Sequence, residues 1–102
     1  MEKVIRNGKV AVLYSPGYGA GWYTWNNSHP ECLFHPEIVA LVEKGQTPDD
    51  RLCKTLFGDG FYCGGASDLK IKWLPVGTKF KINEYDGSES VQTIDTTDWE
   101  TA

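Results

Sequence analysis

The pattern of polar and apolar residues at the start of the chain predicts a β-hairpin. Residues 4–6 and 9–14 flank Asn7-Gly8, a dipeptide that favours the type I′ turn of two-residue hairpins. The second of these strands is apolar at nearly every position. Such a run is typical of a central strand that is covered on both faces.

The C-terminal part of the chain also predicts antiparallel strands. Residues 69–74 and 78–85 alternate between apolar and charged side chains, as half-buried strands do. Asp86-Gly87 is a second two-residue turn signal, and residues 88–94 are predicted to form the returning strand of this hairpin. Residues 61–63 are a candidate short strand.

Two short helices are predicted between these β regions. Residues 35–45 begin with a proline in the first turn and end at Gly45, and Ile38, Leu41 and Val42 share one face. A second helix is predicted from an N-cap at Thr47 to Gly58. We therefore expect an α+β fold in which one small, mainly antiparallel sheet of about five or six strands carries two short helices on one side. Residues 1–102 form a single domain in this prediction, with residues 95–102 as a loosely held tail.

The segment between the first hairpin and the first helix has no regular period. Its first part, residues 15–26, is called the glycine-aromatic loop below. Three glycines in five residues let a ligand approach main-chain amides, and the interleaved rings offer faces for stacking. The pattern is neither a dinucleotide-binding fingerprint nor a P-loop. The candidate ligand-binding residues are Gly17, Tyr18, Gly19, Gly21, Trp22, Tyr23, Trp25 and Asn26. The alternative is that these rings fill the core.

Two other clusters are weaker candidates for chemistry. His29, Cys32 and His35 have a spacing that could supply three zinc ligands or a Cys-His nucleophilic pair. The sequence shows no obvious fourth zinc ligand unless Cys53 or Cys63 folds near, and no orienting third group can be assigned to the nucleophilic pair. Acids at residues 84–89 could hold a cation, although a solvated hairpin tip explains them more simply. We predict no metal, no cofactor and no catalytic residue.

Charge and composition exclude some classes of partner. The net charge is −4 and no segment reads as a basic patch, which argues against binding of nucleic acid. The absence of an apolar run near eighteen residues argues against a membrane span. An odd number of widely spaced cysteines fits reduced thiols in a cytoplasmic protein. The C-terminal region carries six acids and no Lys or Arg, namely Glu84, Asp86, Glu89, Asp95, Asp98 and Glu100. The simpler interpretation is a solubilising face, and the alternative is a charged docking surface for a basic partner.

Two stretches of sequence carry a resemblance to known proteins. Val-Leu-Tyr-Ser-Pro-Gly-Tyr-Gly-Ala-Gly-Trp begins at Val12, and Ile-Lys-Trp-Leu-Pro-Val-Gly-Thr-Lys-Phe-Lys-Ile-Asn-Glu-Tyr-Asp-Gly-Ser-Glu-Ser begins at Ile71. Together they resemble a family of small phage and prophage proteins that carries no assigned activity. The resemblance implies a phage context, in which small acidic proteins often disable a host component or sequester a nucleotide signal.

Three functions follow as hypotheses. The first is a non-enzymatic binding protein that holds a small nucleotide-like ligand through the glycine-aromatic loop. The alternative is a protein-interaction module or inhibitor that docks a host protein through the same loop and the acidic face. A small enzyme is the third. A homodimer is also expected, because so small a sheet gains by covering an edge.

Overall fold

The computed structural model describes residues 2–93, and its elements confirm the α+β class. The strands are β1 (Ile5–Arg6), β2 (Lys9–Tyr14), β3 (Lys70–Pro75), β4 (Phe80–Tyr85) and β5 (Ser88–Thr93), and the helices are α1 (Pro36–Glu43) and α2 (Asp50–Phe57). Single 3-10 turns cover Pro30–Leu33 and Ala66–Asp68. The expected short strand at residues 61–63 is not formed, so that part of the prediction is wrong.

The described strands form two antiparallel sheets rather than the single sheet that we expected. One sheet has the order β1-β2-β3, and β4 pairs with β5 in a separate hairpin. β3 follows β2 along its full length, from Lys9 opposite Pro75 to Tyr14 opposite Lys70. The Pro75-Val76-Gly77 turn therefore leads the chain out of the first sheet instead of joining two neighbouring strands.

β2 separates two apolar clusters, which confirms that it is covered on both faces. Ala11 and Leu13 point into a cluster with residues of both helices, so α1 and α2 lie on the same side of the sheet. Val12 points the other way and packs with Leu33 and Leu74. Half-buried side chains of the β4–β5 hairpin complete this second cluster, namely Phe80, Ile82 and Val91. The hairpin thus lies across the sheet face that the helices leave open.

Both predicted two-residue turns have the backbone that their sequences favour. Asn7 and Gly8 have φ angles of 53° and 74°, and Asp86 and Gly87 have φ angles of 53° and 85°. Two successive positive φ angles define the type I′ turn, whose twist matches the flanking strands. The hairpins are therefore locally encoded.

The helices begin and end near the predicted residues, with one correction. His35 precedes α1 and its Nδ1 accepts a hydrogen bond from the Glu37 amide, while Gly45 follows with a φ of +74°. α2 begins later than expected. Its N-cap is Asp49, whose carboxylate accepts the Leu52 amide at 2.7 Å, and not Thr47. A carboxylate accepts this bond well and also complements the helix dipole.

Some sequence predictions fall outside the described residues. These are the loosely held tail at residues 95–102 and the acids Asp95, Asp98 and Glu100. Within residues 2–93, no helix combines the length and apolar character that a membrane crossing requires.

Candidate functional site

A buried carboxylate organises the glycine-aromatic loop. Glu89, near the start of β5, is only 2% exposed. One of its oxygens accepts the Ser15 amide at 2.9 Å, and the other accepts the amides of Trp22 and Thr24 at 2.9 and 2.8 Å. The Thr24 hydroxyl donates to the same oxygen at 2.7 Å. These charge-assisted bonds satisfy a buried anion and tie both ends of the loop to one point.

The turn between β4 and β5 holds the loop from a second side. The Gly19 amide donates to the Asp86 carbonyl at 3.0 Å, and the Ser88 hydroxyl donates to the Pro16 carbonyl at 2.6 Å. A Cβ atom at Gly87 would lie 2.5 Å from the Ala20 nitrogen, so only glycine allows this approach. The loop is therefore packed on the hairpin and is not a free lid.

Trp22 belongs to the core. Its side chain is completely buried, and its ring meets those of Phe57 and Phe61 edge to face at centroid distances of 6.2 and 5.0 Å. The indole Nε1 donates to the Cys32 carbonyl at 2.8 Å. A buried indole usually needs such an acceptor. The position of Trp22 therefore agrees with the alternative hypothesis that rings of the loop fill the core.

Asn26 joins the loop to the segment that follows α2. It is 4% exposed, and its amide nitrogen donates to the carbonyls of Trp22 and Tyr62 at 2.7 and 2.8 Å. Its oxygen accepts the Tyr62 amide at 2.7 Å. The amide side chain therefore bonds both backbone groups of Tyr62 and places that residue beside the loop.

Trp25 and Tyr62 form the exposed part of the site. Their rings stack at a centroid distance of 5.5 Å and an interplanar angle of 20°, and they are 45% and 50% exposed. The Trp25 Nε1 donates to the Glu84 carboxylate at 3.2 Å, and the same carboxylate oxygen accepts the Gly87 amide at 2.8 Å. We call Trp25, Tyr62 and Glu84 the aromatic-acid surface.

The other predicted binding residues divide between solvent and interior. Tyr18 is 75% exposed and Gly19 is also exposed. Gly21 is buried, Gly17 is half-buried, and Tyr23 packs between the two apolar clusters. The structure thus brings the eight predicted residues into one loop but presents only part of them to solvent.

The histidine-cysteine cluster is not assembled for chemistry. The His29 ring contacts Phe61 and the His35 ring contacts Phe57, both edge to face. Burial raises the pKa of the Cys32 thiol far above its ordinary value, and nearby Glu89 and Glu31 raise it further. Such a thiol is a poor nucleophile at neutral pH. Among residues 2–93, no group of three or more His, Cys, Asp or Glu could hold a metal ion.

The acids of the second hairpin do not form a uniformly solvated tip. Glu84 and Asp86 are exposed as expected, but Glu89 is buried, so the expectation for Glu89 is wrong. The alternation of β5 contains a signal for this burial, because Glu89 stands two residues before the half-buried Val91 and so on the same face. Tyr62 offers no comparable signal, since only the fold brings it to Trp25.

Comparison of the chain with protein family models, with curated proteins and with solved structures finds no match. The function must therefore be argued from the geometry of this loop and its neighbours.

Proposed function

We propose that this protein is a non-enzymatic protein-interaction module whose aromatic-acid surface binds an arginine-containing segment of a basic partner. The observation that supports it most is the exposed Trp25–Tyr62 stack with the Glu84 carboxylate at its edge. A guanidinium group stacks on aromatic faces and pairs with carboxylates, so it matches both features at once.

Preorganisation of this surface supports a binding role. Glu84 fixes the Trp25 indole, and Asn26 fixes the Tyr62 backbone. Exposed rings that are already held in place lose little conformational entropy when a partner binds. Tryptophan, tyrosine and arginine are also the residues that most often dominate the energy of protein interfaces.

Charge favours a cationic partner. The net charge of the chain is −4, and Asp86 is exposed two residues from Glu84. Neither acid takes part in the ion pairs found among residues 2–93, which join Arg6 to Glu43, His29 to Glu31 and Lys54 to Asp50. These two carboxylates are therefore available to attract positive charge.

Our first hypothesis is a nucleotide-like ligand, whose phosphate the main-chain amides of the loop would have to hold. Hydrogen bonds that these amides already make argue against such a phosphate site. The amides of Trp22 and Thr24 already donate to Glu89, and the Gly19 amide donates to Asp86. A phosphate would have to displace a buried carboxylate, with its own negative charge opposed by Glu89. The rings remain free to stack on a neutral planar group, so a nucleotide-like ligand becomes an outcome of the test.

The test is a titration of the protein with a short unstructured peptide in which arginine alternates with glycine and serine. A matched peptide carries citrulline, which keeps the shape but loses the charge. We expect the arginine peptide to bind and the citrulline peptide to bind at least about tenfold more weakly. Trp25→Ala should weaken binding of the arginine peptide by about 5- to 30-fold, because stacking is lost while the net charge is kept.

Val76→Ala is the matched control. Val76 is 60% exposed, and its amide donates to the Gly8 carbonyl at the end of β2 opposite the loop. This variant should bind like the wild type. Equal affinity for the two peptides would contradict the proposal, and so would an unchanged affinity of Trp25→Ala. A mononucleotide that raises the melting temperature when the arginine peptide does not would restore the first hypothesis.

A further inference from the structure

Two cysteines from different parts of the chain meet beside the aromatic-acid surface. The Sγ atoms of Cys53, in α2, and Cys63, in the loop after it, lie 2.6 Å apart, and both thiols are free. A disulfide bond is about 2.05 Å long, so bond formation requires only a small movement. The sequence had shown no close cysteine pair, because nine residues separate the two positions.

We propose that Cys53 and Cys63 form a redox-active dithiol, which a small aliphatic disulfide such as oxidised glutathione converts into an intramolecular disulfide. This inference goes beyond the proposed function, because it concerns covalent chemistry of residues outside the aromatic-acid surface. It assigns a modification site to two cysteines for which the sequence predicted only reduced thiols.

The two thiols differ in solvent exposure, and this difference determines which of them reacts first with the disulfide reagent. Cys53 is completely buried, whereas Cys63 is partly exposed and lines an open groove of about 380 Å³. The groove is open to solvent, so a dissolved disulfide can reach the Cys63 sulfur from this side. Its other walls come from Tyr62 and from small or polar residues, namely Thr47, Pro48, Asp50, Gly64, Ala66 and Ser67. Cys63 is therefore the attacking thiol, and Cys53 is the resolving one.

The chemistry balances in two exchange steps. Cys63, as thiolate, attacks one sulfur of oxidised glutathione, and glutathione leaves as a thiolate that takes up a proton. Cys53, after losing its proton, then attacks the Cys63 sulfur of this mixed disulfide, and the second glutathione leaves in the same way. Two protein thiols are oxidised to one disulfide, and one glutathione disulfide is reduced to two thiols.

The environment of the pair makes this exchange slow at neutral pH. Burial raises the pKa of the Cys63 thiol, and its contact with Cys53 lowers it. The nearby carboxylates of Asp50 and Asp49 raise it again. Burial, and after it the contact with Cys63, raise the pKa of the Cys53 thiol far above its ordinary value. Because the thiolate is the nucleophile, both exchange steps should be slow at neutral pH and should accelerate as the pH rises. A moderately alkaline buffer is thus the right condition for the test.

The disulfide would close a short loop that carries Tyr62. Tyr62 directly precedes Cys63 and supplies one ring of the aromatic-acid surface. A cross-link of this kind restricts the unfolded chain, so the oxidised protein should melt at a temperature higher by an amount on the order of 10 °C. Any effect on partner binding rests on the proposed function, whereas the cross-link and the shift in melting temperature do not.

The experiment incubates the full chain with oxidised glutathione and follows its intact mass, its free thiols and its melting temperature. The wild type should lose two hydrogen atoms, keep only Cys32 as a free thiol, and yield a peptide that links Cys53 to Cys63. Cys53→Ala should stop at one glutathione on Cys63. Cys32→Ala should form the same link as the wild type, which controls for the third thiol.

Three results would overturn the inference. They are retention of all three free thiols in the wild type, a glutathione adduct on Cys63 that Cys53 never displaces, and a link that involves Cys32. Circular dichroism of each variant shows whether it is folded. Should Cys53→Ala fail to fold, the linked peptide and the melting temperature of the wild type decide alone. No partner is present in this assay, so its failure would leave the proposed function untouched.

Discussion

The glycine-aromatic loop has buried residues, which we call its buried half (Ser15, Gly21, Trp22 and Asn26), and exposed residues, which we call its exposed half (Tyr18, Gly19 and Trp25). A tryptophan of each half is bonded to an acid of the β4–β5 hairpin. Trp22 is buried and its amide is held by Glu89, whereas Trp25 is half exposed and its indole is held by Glu84. Glu84 and Glu89 lie directly opposite each other in the β4–β5 ladder. The two glutamates of this cross-strand pair are therefore in opposite environments, since Glu89 is buried and Glu84 is exposed.

The composition of the loop therefore does not show which of its residues face solvent. Glycines and rings occur in both halves, but the buried half uses them to pack against the hairpin and the core. In the exposed half, the stacked rings and the acid remain in contact with solvent. The two halves should thus respond differently to substitution, one in stability and the other in binding.

The largest effect is expected from Glu89→Ala. This change leaves three main-chain amides and a hydroxyl without their shared acceptor, and it should lower the free energy of unfolding by about 3–5 kcal/mol. Glu84→Ala is the matched control, because this acid is exposed and should cost no more than about 1 kcal/mol. Urea unfolding of both variants measures the difference. Similar losses for the two would contradict the distinction between the halves.

A smaller loss is expected from Asn26→Ala. The variant removes three internal hydrogen bonds, two of them to the backbone of Tyr62, and should lower the free energy of unfolding by about 1–3 kcal/mol. Asn27→Ala, at the exposed neighbouring position, should leave the stability within about 0.5 kcal/mol of the wild type. An Asn26 variant as stable as the Asn27 variant would show that these bonds do not hold the two segments together.

Trp25→Ala should separate binding from stability. The ring is 45% exposed, so its loss from the stack on Tyr62 should cost only about 1 kcal/mol of stability. Binding of the arginine peptide should nevertheless fall as described above. Thermal unfolding and peptide titration on the same sample give both quantities, and a loss of stability as large as that of Glu89→Ala would place Trp25 in the buried half instead.

The smallest effect is expected from Ser15→Ala, which should not lower the free energy of unfolding as the other substitutions do. Ser15 is completely buried, and its hydroxyl has no hydrogen-bond partner among residues 2–93, although its amide and carbonyl both bond Glu89. Removing an unpaired buried hydroxyl should leave stability unchanged or raise it by up to about 1 kcal/mol. Thr24→Val serves as the contrast, because the Thr24 hydroxyl does bond Glu89 and its removal should destabilise the protein.

Local features of this fold were predictable from the sequence, and long-range pairings were not. Asn7-Gly8 and Asp86-Gly87 determine their turns through short-range conformational preference, and both turns are found. The pairing of β2 with β3 spans most of the chain and depends on which apolar faces meet. Alternation of apolar and polar residues shows that a strand has an apolar face, but it does not show which sheet the strand joins. The sequence therefore could not distinguish two small sheets from a single sheet.

The candidate site was predictable only in part, for the same reason. Residues 15–26 stood out by composition, but the sequence left open whether Trp22 or Trp25 faces inward, and the structure buries Trp22 and exposes Trp25. Whether Trp22 or Trp25 faces inward depends on the buried carboxylate of Glu89, which comes from the other end of the chain. Tyr62 joins the surface through Asn26, a contact between residues thirty-six positions apart. The nucleotide-like ligand, the phage context and the homodimer stay predictions.

Two-dimensional NMR can follow the indole N–H signals of the protein during titration with the arginine peptide, and it therefore tests the aromatic-acid surface at the level of single residues. Trp25→Ala and Trp22→Phe spectra assign the two relevant signals. If the aromatic-acid surface binds arginine, the Trp25 signal should move progressively, together with the Tyr62 amide. The Trp22 signal should keep its position because its indole is bonded to the Cys32 carbonyl in the core. A Trp22 signal that moves while that of Trp25 stays fixed, or a peptide that moves neither, would contradict binding at this surface.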